Sequence, residues 1–227
     1  MNMRQQCLID YRQALAQQLD ATELQWWQQA QAHLTQQPGA TTTALLSGQC
    51  KRHLKAPEVE LARALLLTQA LEQTADAEQC ATLRQLFLWG DDHEKIALLK
   101  ALDWLDSDGL CLALALQAGR TSNPQVFAAL ALDTAYPSRH YPERAFHQLV
   151  LKALGMGLDI RRVIGLQQRH GVTLNQLALD LLDEQLAAAR TVSPGLPNAI
   201  AFPLLSPAQR QRLGGLRLPP EWHAHLN

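Results

Sequence analysis

Glu143 and His147 are four residues apart, a separation that sets two side chains on one face of a helix, and His140 lies in the loop just before them. An imidazole–carboxylate–imidazole set is donor chemistry for a divalent metal. A carboxylate beside an imidazole is also the material of general acid–base catalysis. Against both, a metal site needs three or four ligands and no further ligand is local. A glutamate in the first turn of a helix is also what the helix dipole favours in any protein. The pair therefore reads as structural before it reads as chemical. Glu143 and His147 stand as candidate acid and base, and His140, Glu143 and His147 as candidate metal ligands.

Five cations share the same stretch: Arg139, Arg144, Lys152, Arg161 and Arg162. Guanidinium forks grip phosphate and carboxylate bidentately. If the helix carrying Arg144 and Lys152 packs against the segment carrying Arg161 and Arg162, these side chains and His140 can line one anion-binding groove. The competing reading leaves several of them solvated. A second dense cluster, Asp91, Asp92, His93 and Glu94, opens a helix, where acidic residues serve capping and the dipole.

No Walker loop, Gly-x-Gly-x-x-Gly, Gly-x-Ser-x-Gly or His-Glu-x-x-His motif occurs. No nucleophile has a base beside it, and no cofactor is expected. The formal net charge of −1 gives no general attraction to nucleic acid or anionic lipid. The charge is uneven, however. Residues 56–118 hold eleven acidic and four basic residues, whereas residues 137–170 hold six basic and two acidic. Cys7, Cys50, Cys80 and Cys111 are widely spaced and form no Cys-x-x-Cys pair. They read as free, buried or half-buried thiols of a reducing compartment. Even the longest apolar runs, Leu110–Leu116 among them, are far short of the roughly 20 residues that span a bilayer. With no visible secretory signal, the expectation is a soluble, cytoplasmic chain.

The elements that must position these residues are helices. Apolar residues make up 47% and aromatics 5%, so the core must come from Leu, Ala and Val, which suit helix packing. Helical spacing and caps predict helices over about 2–18, 23–37 (capped by Thr22 with Gln25), 41–49, 58–73, 76–88, 92–105, 108–118 and 124–133. The adjacent Trp26 and Trp27 read as packing residues. Lys51, Arg52 and His53 read as the solvated end of the third helix. Pro137 stops the eighth helix. Pro142 opens a ninth in its first turn, with Phe146, Leu149, Val150, Ala153 and Leu154 as its buried stripe and Gly155-Met156-Gly157 as its end. A short helix over 158–165 and a long one over 174–190 follow. The fold class is all-α: stacked antiparallel helix pairs, as a short HEAT-like α-solenoid or an irregular bundle. Residues 1–190 read as one domain. Residues 191–227 form a Pro-containing tail, extended or packed back, with a helical turn near 207–213 and Trp222, His223 and His225 at its end.

Residues Tyr136-Pro137, Glu143–Leu154 and Arg162-Val163-Ile164-Gly165-Leu166 resemble the EboA family of metabolite-traffic proteins. The helix over 174–190 before a proline-containing tail fits the same pattern. The family commonly carries Asn where this chain has His147, and a bulky apolar residue where it has Gly155. The resemblance implies a bacterial gene cluster that makes or moves a secondary metabolite or its precursor. Its other members are a membrane UbiA-like prenyltransferase, a TatD-like hydrolase, a dehydroquinate-synthase-like protein and a sugar-isomerase-like protein. The reading that follows is a non-enzymatic helical binding or adaptor protein working with those partners, with peripheral rather than spanning membrane contact. The alternative is an enzyme acting on an anionic metabolite through Glu143 and His147.

Overall fold

The structure, a computed structural model, describes residues 3–222, with side chains from Gln6. His223 and His225 lie outside the described residues. Among the described residues every regular element is helical, so the chain is all-α. It divides into two compact units, residues 1–130 and 131–227.

The first unit carries α1 (Met3–Gln18), α2 (Ala21–Gln36), α3 (Ala40–His53), α4 (Glu58–Glu72), α5 (Asp76–Trp89), α6 (Asp92–Leu105) and α7 (Leu112–Ala118). Most of α8 (Pro124–Ala131) belongs to it as well. α4 is the centre, packing against α1, α2, α3, α5 and α6. Its residues 62–68 are buried without interruption, as expected of a helix apolar on every side. The polar exceptions are matched. Arg63 is 4% exposed and its Nε donates to the Ser47 carbonyl at 3.1 Å. Ser47 Oγ donates to Glu94 Oε1 at 2.7 Å. Trp27 is core, and Trp26 stacks on His53 with ring centroids 4.8 Å apart. Asp91 and Glu94 form a reciprocal capping box that opens α6, which accounts for that acidic cluster.

Three expectations in this unit change. The box that opens α2 is Asp20 with Glu23, not Thr22 with Gln25. Glu23 is 6% exposed, and its second oxygen accepts from Lys55 N at 3.0 Å. A tertiary contact thus selects the earlier of two overlapping patterns. α7 begins at Leu112 instead of Asp108 because the buried Asp106 carboxylate accepts from Leu110 N and Cys111 N, holding a turn ahead of the helix. Finally, Cys80 and Cys111 are not free thiols: they form a disulfide. Packing of α5 on α7 brings their Cα atoms to 5.2 Å across 31 residues of sequence. Cys50 is a buried free thiol as expected, and Cys7 is free but exposed.

The second unit is less regular. It comprises α9 (Tyr136–His140), α10 (Glu143–Gly155), α11 (Val172–Ala187) and α12 (Pro207–Gly214), joined by 3-10 turns at Ile160–Arg162, Gln167–Arg169, Leu196–Ala199, Phe202–Leu204 and Pro220–Trp222. α9 is unforeseen. Pro137 stands at the second position of this short helix, where its missing N–H is no loss, instead of simply stopping the helix before it. Pro142 is the residue flanking α10, not part of its first turn. The stripe of α10 is buried as expected, joined by His147. The expected helix over 158–165 is a single 3-10 turn bounded by Gly157 (φ 71°) and Gly165 (φ 79°), backbone values that end a right-handed helix. Residues 196–222 pack inward: Leu196, Ala199, Leu213 and Trp222 are buried. Asn175 of α11 pins them by donating to the Ala201 carbonyl at 3.0 Å and accepting from Ala201 N at 2.7 Å.

Candidate functional site

The polar focus in the sequence is, first of all, a knot in the second unit. Arg169 is its pin. Its Nη1 donates to the carbonyls of Tyr141 at 2.8 Å and Ser138 at 3.1 Å, with Pro137 at 3.4 Å. Its guanidinium lies 4.5 Å over the Phe146 ring. One side chain therefore satisfies the carbonyl end of α9 and fixes it against α10. A few residues upstream, Gly165 passes so close to α9 that a Cβ on it would sit 2.5 Å from Ser138 Cβ. Asp133, itself at φ 58°, donates its N–H to the Arg162 carbonyl at 2.9 Å and holds the Arg162 guanidinium in an ion pair.

These contacts decide where the predicted site residues go. Arg162 is committed to Asp133, and Arg161 is held by Asp159 through Nε at 2.8 Å and Nη2 at 2.7 Å. Both pairs are solvent-exposed, and each guanidinium's pKa is raised by its carboxylate partner. Arg139 is exposed in the last turn of α9, and Arg144 is exposed in the first turn of α10. Lys152 is half-buried in the last turn of α10, where desolvation lowers its pKa. Glu143 Oε1 approaches His147 Nε2 to 3.9 Å, too long for a hydrogen bond. The Glu143 side chain is exposed while that of His147 is 2% exposed. Among the described residues, His147 Nε2, His140 Nε2 and Tyr141 Oη are buried without a hydrogen-bond partner, and burial raises the pKa of the Tyr141 phenol. The His140 ring lies against the buried Tyr136, with centroids 4.8 Å apart. Among the described residues, the metal-type donor atoms that do converge are those of Cys80, Asp106 and Cys111, at the disulfide.

Beside the knot is a cleft of about 390 Å³. Its polar lining is Arg161, Gln167, Gln168, His170 and Asn198. Its apolar lining includes Val163, Leu166, Pro197 and Ile200, all buried. Of the residues singled out by type and spacing, Arg161 alone lines it. Each wall is a short turn with its backbone fixed. Arg169 anchors the 167–169 turn to α9, and the Asn175–Ala201 pair anchors the 196–199 turn to α11. His170 joins the two walls through Nε2, 3.0 Å from the Asn198 carbonyl. Burial lowers the pKa of His170 from its ordinary 6.5. Asn198 Nδ2 is bonded to the Gly195 carbonyl at 3.1 Å.

A family model described as metabolite traffic protein EboA matches residues 26–201 of the chain. The chain belongs to the EboA family. The matched span runs from within α2 to the residue paired with Asn175, so it contains the knot and the whole lining of the cleft. Metabolite traffic is the function carried in the family's description. No curated protein and no solved structure matches the chain. No helix among the described residues is long and apolar enough to cross a membrane.

Gln167, Gln168, His170 and Asn198 were not picked out by motif reasoning. The available signal was a run of polar residues, Gln167-Gln168-Arg169-His170, set between Gly165-Leu166 and Val172. Polar residues following a glycine that must take positive φ mark a fixed turn with side chains to spare.

Proposed function

We propose that this EboA protein is a non-enzymatic binding and adaptor protein in metabolite traffic. It receives a small molecule in the cleft of its second unit and works beside the membrane prenyltransferase and the other proteins of its gene cluster. The observation that carries the reading is the cleft itself. It is of ligand size, walled by two turns whose backbones are held by Arg169 and Asn175, and lies within the family-matched span. Rigid turns presenting neutral polar side chains suit binding and release. The acid–base pair that catalysis would draw on, Glu143 and His147, is not among the cleft residues.

The test is affinity capture of the tagged, full-length protein co-expressed with its neighbouring genes, together with flotation on membranes that contain the prenyltransferase. Co-elution with a cluster protein, or flotation that depends on the prenyltransferase, supports the reading. Absence of both overturns it. The enzymatic alternative rests on the 3.9 Å approach of Glu143 to His147. It requires a turnover that the E143Q and H147N variants abolish.

A further inference from the structure

We propose that the cleft is built for an uncharged, hydroxyl-rich ring compound, with the chemistry of a sugar or polyol, and not for an anion. The proposal deepens the binding reading above and rests on it. Arg161 is the one arginine or lysine among the cleft residues. Its Nε and Nη2 both donate to Asp159, so it presents a neutralised pair instead of an open fork. An anionic ligand would meet Arg161 beside that carboxylate, which offsets its charge.

His170 comes next. Its Nε2 faces a backbone carbonyl at 3.0 Å, and a carbonyl oxygen can only accept. Nε2 therefore carries the hydrogen, and in the neutral ring Nδ1 is left as an acceptor. Burial favours the neutral ring. Asn198 has its Nδ2 turned to the Gly195 carbonyl, which leaves Oδ1 as a further acceptor. Gln167 and Gln168 are exposed, and their carboxamides make no hydrogen bond to another described residue. Each offers both a donor and an acceptor.

The set is thus neutral and mixed, and richer in acceptors than an anion site. A carboxylate or a fully ionised phosphate group only accepts, so it has no hydrogen to offer His170 Nδ1 or Asn198 Oδ1. A hydroxyl both donates and accepts, so it can satisfy every one of these groups. The buried Val163, Leu166, Pro197 and Ile200 add an apolar floor for the C–H face of a ring, and about 390 Å³ accommodates a ring of that size.

The experiment is an amide NMR titration of the full-length protein with myo-inositol and glucose, and in parallel with inorganic phosphate and citrate. The expected result is saturable shifts at Gln167, Gln168, His170 and Asn198 with a polyol and not with either anion. Affinity should fall about tenfold in the doubly substituted Q167A/Q168A variant, as for two lost hydrogen bonds. Both glutamines are exposed, so the variant's other resonances should hold their positions. Shifts at these residues with phosphate or citrate in place of polyol would overturn the ligand class and leave the cleft as a binding site. No shift with any probe would overturn the inference, whereas the traffic reading is decided separately by the capture and flotation assays.

Discussion

The two units solve the same problem, burying a leucine-rich helical core, in different ways. In the first, long helices surround α4, and several buried polar groups have partners close at hand: Arg63 with the Ser47 carbonyl, Ser47 with Glu94, Glu23 with two backbone N–H groups; Glu58 Oε2 is the exception. In the second, short helices alternate with 3-10 turns. There His140, Tyr141, His147 and Trp222 each bury a polar atom with no hydrogen-bond partner among the described residues. Regular helices satisfy their own backbone and leave smooth surfaces. Turns must be pinned by side chains, and the pins leave a cleft between them. The first unit therefore reads as scaffold and the second as the place where recognition is built.

That contrast can be broken most sharply at Arg169. Replacing it with Ala removes the bonds to the Ser138 and Tyr141 carbonyls and the contact with Phe146. A loss of about 3–5 kcal/mol is expected in urea unfolding. A loss below about 1 kcal/mol would mean that the knot is not what holds these turns. Gly165→Ala comes next, at about 2–4 kcal/mol, because a Cβ meets Ser138 and the positive φ is strained for any side chain. In the first unit, Glu23→Ala leaves the N–H groups of Asp20 and Lys55 without their acceptor, for about 1–3 kcal/mol. An effect there larger than that of Arg169→Ala would reverse the comparison.

Two smaller effects sharpen it. His170 has a depressed pKa, so the neutral ring is the folded form. Its contribution to stability is whole above its unfolded value of 6.5 and is lost as pH falls through the lower folded value. An NMR titration of the ring should give a midpoint below 6.5, and a midpoint above it would contradict a folded state that favours the neutral ring. In the unreduced native protein, the exposed Cys7 should react with a thiol reagent. Cys50, buried and pushed up to about 12, should not, and Cys80 and Cys111 should react only after reduction.

Much of the first unit was legible in the sequence because its signals are local. Asp91 with Glu94 announces α6, and its predicted limits, 92–105, are the observed ones. The failures share one cause: long-range contacts arbitrate between local options. Glu23 takes its cap from Asp20 because Lys55 N also needs it. Cys80 and Cys111 meet because α5 packs on α7, which no spacing rule encodes. In the second unit the buried stripe of α10 was legible, and so was the family. The cleft was not, since Gln168 and Asn198 have no motif value until Arg169 and Asn175 fold their turns together. Arginines 161 and 162 drew attention by type, yet each is held by a carboxylate that sequence distance does not reveal for Asp133, 29 residues away.

The central claim, that recognition lives in the cleft of the second unit, is tested most directly by native mass spectrometry of the protein co-expressed with its neighbouring genes. The expected result is a small-molecule adduct whose occupancy falls in the Q167A/Q168A variant and is kept in Glu23→Ala. An adduct held equally by both variants, or none on the unsubstituted protein, would contradict it.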